Sequence, residues 1–367
     1  MTAPVVIAAR RSAIGTAHGA FRDVAADELA APVLRAALAD AGLDAVDDVV
    51  LGNVFGPGGN PARVAALRAG LAVPGVTVDR QCASGLAAIA LAASMIRAGD
   101  AEVVLAGGVE SASTAPLRAW RGPDGAPGEF YTRAPFAPAE IGDPDMGPAA
   151  DRVAAEAGVT RRRQDAFAAR SHARAVAAQR AGRFDAEIVP VRGVVRDERP
   201  RAGFGLDRLA RFRPAFTPDG TATAANSCGI NDGAAAVVVV SERVRRRLGV
   251  PGLRLVASAT SAVDPNRLGL GAVPAMRRVL TDPLDAVEFN EAFAGQALAC
   301  LDAAGIDEEI VSPDGGAIAL GHPWGASGAV LVVRLFGTLV RQRAGRRGLA
   351  ALSAGGGVGV ATTWEVT

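Results

Sequence analysis

Residues 76–85 read Val-Thr-Val-Asp-Arg-Gln-Cys-Ala-Ser-Gly, and the fold is decided by how this stretch is read. Val76, Thr77 and Val78 suit a short strand. The run 86–97 is apolar on almost every side, without proline or internal glycine, which is the pattern of a buried helix. Cys82 therefore stands where a strand hands over to a helix. Unpaired N–H groups and the positive helix end lie beside such a turn. That setting predicts a thiol that ionises below its free pKa of about 8.5, and the thiolate is the nucleophile. Ala83, Ser84 and Gly85 are small enough for a bulky molecule to come close. The same stretch equally describes an inert cysteine buried in a core.

Outward from this turn, strands and helices alternate. Residues 4–9 read as a strand, 27–41 as a helix ended by Gly42, 49–51 as a strand and 62–69 as a helix. An apolar strand at 102–106 closes on Gly107-Gly108. This spacing argues for parallel βαβ layers. The C-terminal third repeats the order. Leu43-Asp44-Ala45-Val46 leads to Asn53-Val54-Phe55, and Leu284-Asp285-Ala286-Val287 leads to Asn290-Glu291-Ala292-Phe293. Ala83-Ser84-Gly85 and Ala326-Ser327-Gly328 each open an apolar helix, the second at 329–340, and each helix precedes a strand and a run of glycines. Four matching features in one order indicate duplicated halves. Residues 1–112 with 226–245 form the first half, 246–367 the second, and 113–225 an insertion over one face.

Composition sets outer bounds. The chain has 367 residues, half of them hydrophobic, with 44 glycines and few aromatics, as in a globular α/β protein. A net charge of +1 gives no field drawing it to nucleic acid or membrane. All 39 basic residues are arginine, so phosphate must be held by guanidinium forks or backbone amides, and no lysine is present for Schiff-base chemistry. Cys82, Cys228 and Cys300 lie far apart and only three histidines occur, so neither a disulfide framework nor a metal site is expected. The N-terminus has no leader pattern and no apolar run looks long enough to span a bilayer, so a cytoplasmic protein is expected.

One histidine lies in a glycine-dense loop, Gly315-Gly316-Ala317-Ile318-Ala319-Leu320-Gly321-His322-Pro323-Trp324-Gly325. His322 precedes a helix at the place in half two that Cys82 occupies in half one. Two equivalent helix starts facing one centre would bring nucleophile and base together for acyl transfer. The second glycine turn, Ser353-Ala354-Gly355-Gly356-Gly357, offers backbone N–H groups, and Asn290 ends a strand as either a water-orienting amide or a turn cap.

Gln-Cys-Ala-Ser-Gly, Asn-Glu-Ala-Phe-Ala, the His322 loop and the final Gly-Gly-Gly-Val-Gly, in that order, resemble the thiolase family over essentially the whole chain. The resemblance implies two βαβαβ halves in a five-layered α/β/α/β/α arrangement, an inserted loop domain at 113–225 that binds coenzyme A, and a homodimer or homotetramer. It implies acyl-CoA substrates, no further cofactor, and interconversion of 3-ketoacyl-CoA plus CoA with acyl-CoA plus acetyl-CoA. By the same resemblance Cys82 would carry the acyl group and His322 would activate it. Asn290 would fix a water in one oxyanion pocket, and the N–H groups of Cys82 and Gly355 would form the other. Arg201 would meet the nucleotide of coenzyme A, Cys228 the pantetheine arm, and Met146 and Phe293 the acyl group.

The chain departs from the family pattern at Ser353, where thiolases carry a second cysteine that moves protons at the α-carbon. A serine hydroxyl is a far weaker acid. Acyl transfer survives that exchange, while carbon–carbon chemistry is put in question. Asp145, where several members carry histidine, would change the polarity of the pocket. Two other readings stay open: an acyltransferase or decarboxylative condensing enzyme, and a non-catalytic CoA-binding assembly subunit.

Overall fold

The computed structural model describes residues 2–367. Eleven strands join one mixed sheet whose path falls into two similar halves. In the first half the order is Gly75–Val78, Asp48–Gly52, Val103–Glu110, Asn231–Ser241, Pro4–Ser12. In the second it is Ala286–Phe289, Arg347–Ala354, Val358–Val366, Leu253–Ala262, with Val311 bridging to Val287 at the outer edge. The halves meet where Val5 and Val6 pair antiparallel with Arg254 and Leu253.

The expected all-parallel layers are only partly realised. Asp48–Gly52 is parallel to both its neighbours, as Ala286–Phe289 is to Arg347–Ala354. Val103–Glu110 and Asn231–Ser241 are antiparallel, and so are Arg347–Ala354 and Val358–Val366. In the second half the reason lies in the connection. Gly355–Gly357 is too short for the crossover that a parallel pair needs. Residues 111–230 hold the same topological position in the first half.

Helices fill three layers around the two half-sheets. Ala26–Asp40 packs on one outer face and Ala272–Val279 on the other, while Ser84–Ala98 and Trp324–Leu335 lie against each other between them. Gln81–Ala98 and Trp324–Arg341 are, contrary to expectation, long and apolar enough by composition to cross a membrane; 61% and 83% of these windows is buried here. Their apolar character follows from packing on nearly every side.

The second central helix begins at Trp324 rather than at Ala326, because Glu110 Oε2 accepts the Gly325 N–H at 3.0 Å and caps it from the other half. Residues 113–225 do more than lie over one face. Val153, Ala154, Phe167 and Ala168, on Met146–Glu156 and Arg161–Arg180, share a core with Met276, Val287, Phe289 and Leu298 of the second half. The stretch of little periodicity at 120–148 contains a hairpin, Arg118–Arg121 with Pro127–Tyr131, turned by Pro123-Asp124-Gly125.

The two central helices approach to backbone contact at glycines. A Cβ on Gly85 would stand 2.7 Å from Gly325 O and 2.9 Å from Ala329 N, and one on Gly328 would fall on Leu86 N. Those obstacles are main chain and cannot rotate away. Gly85→Ala should therefore lower stability by roughly 1–3 kcal/mol or more. Gly205→Ala, where nothing lies within 4 Å, is the control. Equal thermal midpoints for the two variants would contradict this crossing.

Candidate active site

Cys82 is positioned by a strained turn. After strand Gly75–Val78, Gln81 adopts a left-handed conformation with φ 51, which costs a non-glycine residue roughly 1–2 kcal/mol. Ser84 braces the turn: its Oγ accepts from Arg80 N at 2.8 Å and donates to Gln81 O at 2.6 Å. Hydrogen bonding from the backbone N–H groups of Cys82 and Gly355 acts to lower the thiol pKa.

The thiol itself differs from expectation. It is only 8% exposed, and burial pushes its pKa up to about 12, with the neighbouring Cys228 adding to the rise. The two N–H groups pull the other way and do not win, because the loss of hydration on burial is the largest cause.

His322 is 3% exposed, and burial lowers its pKa to about 4, so the imidazole is neutral at physiological pH. Its Nδ1 lies 2.6 Å from Ser327 Oγ, one helical turn further along. Its backbone N–H donates to Asn231 Oδ1 at 2.9 Å, and Ile230 forms a parallel bridge with it. Gly321 enters this segment at φ 117, and a Cβ there would press on Ile14 and Asn231. Cys228, two residues before Ile230, donates its N–H to Ala292 O at 2.9 Å and lies electrostatically beside Cys82.

Asn290 follows strand Ala286–Phe289 and donates its backbone N–H to Ala351 O at 3.1 Å, two residues before Ser353. Ser353 is fully engaged. Its Oγ donates to Gly269 O at 2.8 Å and accepts from Ala272 N at 2.9 Å. Beneath it Cys300 Sγ lies 4.0 Å from Ser353 Oγ and donates to Gly269 O at 3.1 Å. Ser353, Met146 and Phe293 line one small cavity together with Leu268 and Gln296. Asp145 is not part of it: the carboxylate is 76% exposed and accepts from Arg133 Nε at 3.0 Å, so it does not set the cavity's polarity. Arg201 also stands apart. It is exposed, donates its backbone N–H to His172 Nδ1 at 3.3 Å, and borders a surface groove with Arg170, Arg180 and Phe204.

Glu110 is the residue that sequence reading missed. It accepts from Asn53 Nδ2, Phe55 N, Val54 N and Gly325 N at 3.0–3.2 Å, tying the first half to the helix that carries Ser327. Burial raises its pKa to about 7 despite these donors. The available signal was a lone carboxylate at the end of an apolar strand, beyond Gly107-Gly108.

Known proteins resemble this chain over its full length. The family profile described as "Thiolase, N-terminal domain" matches residues 4–243, and "Thiolase, C-terminal domain" matches residues 251–366. Acetyl-CoA acetyltransferase of Pseudomonas aeruginosa is 44% identical over 389 residues, 98% of each chain. That of Cupriavidus necator is 44% identical over 100% of each, and that of Escherichia coli is 42% identical over 98% of each. The crystal structure of the Bacillus anthracis acetyl-CoA acetyltransferase superposes with a TM-score of 0.93 at 38% identity, covering 100% of this chain and 99% of that one.

A protonated Cys82 thiol and a neutral His322 imidazole make a distinct pH prediction. With Cys82 titrating near 12 and His322 near 4, neither changes charge between pH 6 and 9. Apart from one step near pH 7, where Glu110 titrates, single-turnover acylation of Cys82, followed by mass spectrometry, should vary by less than about threefold over that range. A tenfold rise per pH unit below 8.5 would instead reveal attack by a pre-formed thiolate of ordinary pKa.

Proposed function

The chain belongs to the thiolase family, and from that premise we propose that it transfers acyl groups between coenzyme A thioesters through a thioester on Cys82. The reading is supported by the backbone N–H groups of Cys82 and Gly355, which act on the Cys82 sulfur to lower its pKa against burial. When the sulfur bonds to a thioester carbonyl, the oxygen that gains negative charge lies next to that sulfur and within reach of both donors. Donors of this kind typically contribute 10²–10³ in rate.

His322 begins the step. With Nδ1–H donating to Ser327 Oγ, the Nε2 lone pair is free to take the Cys82 proton as sulfur attacks. Both groups are neutral beforehand, so proton transfer and attack proceed together. The tetrahedral intermediate then expels coenzyme A as its thiol, which receives the proton held by His322. Asn290 holds a water in the oxyanion pocket shared with His322 and receives the second thioester. Met146 and Phe293 bound the acyl group, Cys228 borders the pantetheine arm, and Arg201 on its surface groove meets the nucleotide. Within this reading the protein works in the cytoplasm as a homodimer or homotetramer on acyl-CoA. It is built of two catalytic halves, 1–112 with 226–245 and 246–367, and the CoA-binding segment 113–225.

Carbon–carbon cleavage or formation needs, in addition, a group that exchanges a proton with the α-carbon. Ser353 holds that place, and both roles of its hydroxyl are occupied by Gly269 and Ala272. This bracing favours a second reading, an acyltransferase or decarboxylative condensing enzyme that needs no α-proton base.

An acyl adduct of Cys82 should form on mixing with acetyl-CoA and be absent from Cys82→Ala; a wild-type protein without the adduct refutes both readings. For acetoacetyl-CoA thiolysis, Ser353→Cys should raise the rate roughly 10–10²-fold when assayed under reducing conditions, since Cys300 lies close by. An unchanged or lower rate would show that the serine belongs to a different proton path. Condensation with malonyl-CoA but not acetyl-CoA would select the second reading.

A further inference from the structure

Beside Asn290 lies an internal cavity of about 10 Å³, the volume that one water molecule needs. All its lining residues are buried, and its walls include Glu288, Asn290, Gly316, Gly321, Ser327 and Arg334. The placement follows from periodicity. Glu288 lies in strand Ala286–Phe289 and Asn290 stands two residues on, just past its end, while Ser327 and Arg334 are two turns apart on one face of the helix opposite.

Among the described residues, three of these side chains carry a buried polar atom without a protein partner: Glu288 Oε1, Asn290 Nδ2 and Arg334 Nε. Arg334 uses its two terminal nitrogens on Glu187 and Asp314, which leaves only Nε. Buried polar groups in native proteins are almost always satisfied, by protein or by ordered water. Two unpartnered N–H donors and one carboxyl oxygen, on residues that line so small a space, match a water molecule. A metal cation would face N–H donors, and a larger anion would not fit.

We propose that Glu288 and Arg334 hold an internal water against Asn290 Nδ2 and so make Glu288 a positioning residue for the Asn290 amide. The water accepts from Asn290 Nδ2–H and Arg334 Nε–H and donates to Glu288 Oε1. An amide nitrogen carries two hydrogens, so the second remains for the reacting centre. The arrangement is stiff because Arg334 is itself fixed by two buried carboxylates. Burial also holds Glu288 well above the usual carboxylate range, so it can stay uncharged in this wall. Ser327, in the same wall, carries the hydroxyl paired with His322 Nδ1, so one cavity supports both partners of the oxyanion pocket. The role assigned to Asn290 rests on the proposed function; the water site does not.

A high-resolution crystal structure of the wild-type protein tests the site directly. Density for one water within hydrogen-bond distance of Glu288, Asn290 and Arg334 is expected, and a cavity without density overturns the proposal. Glu288→Leu removes the acceptor and should lower kcat for acetyl transfer roughly 10²-fold, with KM for acetyl-CoA within about threefold. Glu288→Gln restores an acceptor oxygen and should recover at least about tenfold of that loss. Equal kcat in both folded variants would refute the positioning role, and the density decides the site even where Glu288→Leu does not fold. A protein with the water in place but no adduct on Cys82 would refute the proposed function and leave the water site standing.

Discussion

The close crossing of two buried helices is the constraint from which the rest of the structure follows. Gly85 and Gly328 let Ser84–Ala98 and Trp324–Leu335 meet at main-chain distance, and Gly52, Gly108 and Gly325 extend the contact to the strands beside them. Side chains at these places would force the helices apart, and with them the two half-sheets. Because the crossing occurs at the first turns of both helices, the residues just before them, Cys82 and His322, are carried to the same region. Glu110 locks this arrangement by accepting N–H groups from the Asn53–Phe55 loop and from Gly325.

Burying these residues determines their electrostatics. Neither Cys82 nor His322 has a charged partner close enough to offset lost hydration, so thiol and imidazole both rest uncharged. A helix terminus and two N–H groups are weaker than full desolvation, and an expectation built on the terminus alone points the wrong way. In the proposed acyl transfer the same N–H groups would become more useful as charge moves from sulfur to the carbonyl oxygen, which is the physical content of preorganisation.

Ser353 is tied into the scaffold by its hydroxyl. Its hydroxyl ties strand Arg347–Ala354 to the Gly269–Ala272 segment, and Gln296 and Cys300 bind the same Gly269 carbonyl. The serine thus supports the wall of the cavity that it lines with Met146 and Phe293. Holding a wall and exchanging a proton with a substrate make opposite demands on one hydroxyl, since the first requires that its proton already be placed.

Much of this was legible in the sequence, because strand and helix periods, glycine runs and the repeated order of motifs are local patterns. The duplicated halves, the strand-to-helix position of Cys82, the histidine loop and the glycine turn at Gly355 were all readable from residue order. The tertiary structure alone decided what depends on residues distant in the chain. Glu110 caps a helix more than 200 residues away, Ser327 and Arg334 share a cavity with Glu288, and Asp145 turns out to solvent toward Arg133. The antiparallel direction of Val358–Val366 against Arg347–Ala354 was likewise set by the short Gly355–Gly357 connection rather than by strand composition. The thiol pKa belongs to the same class: desolvation is a property of everything packed around an atom, and no stretch of sequence contains it.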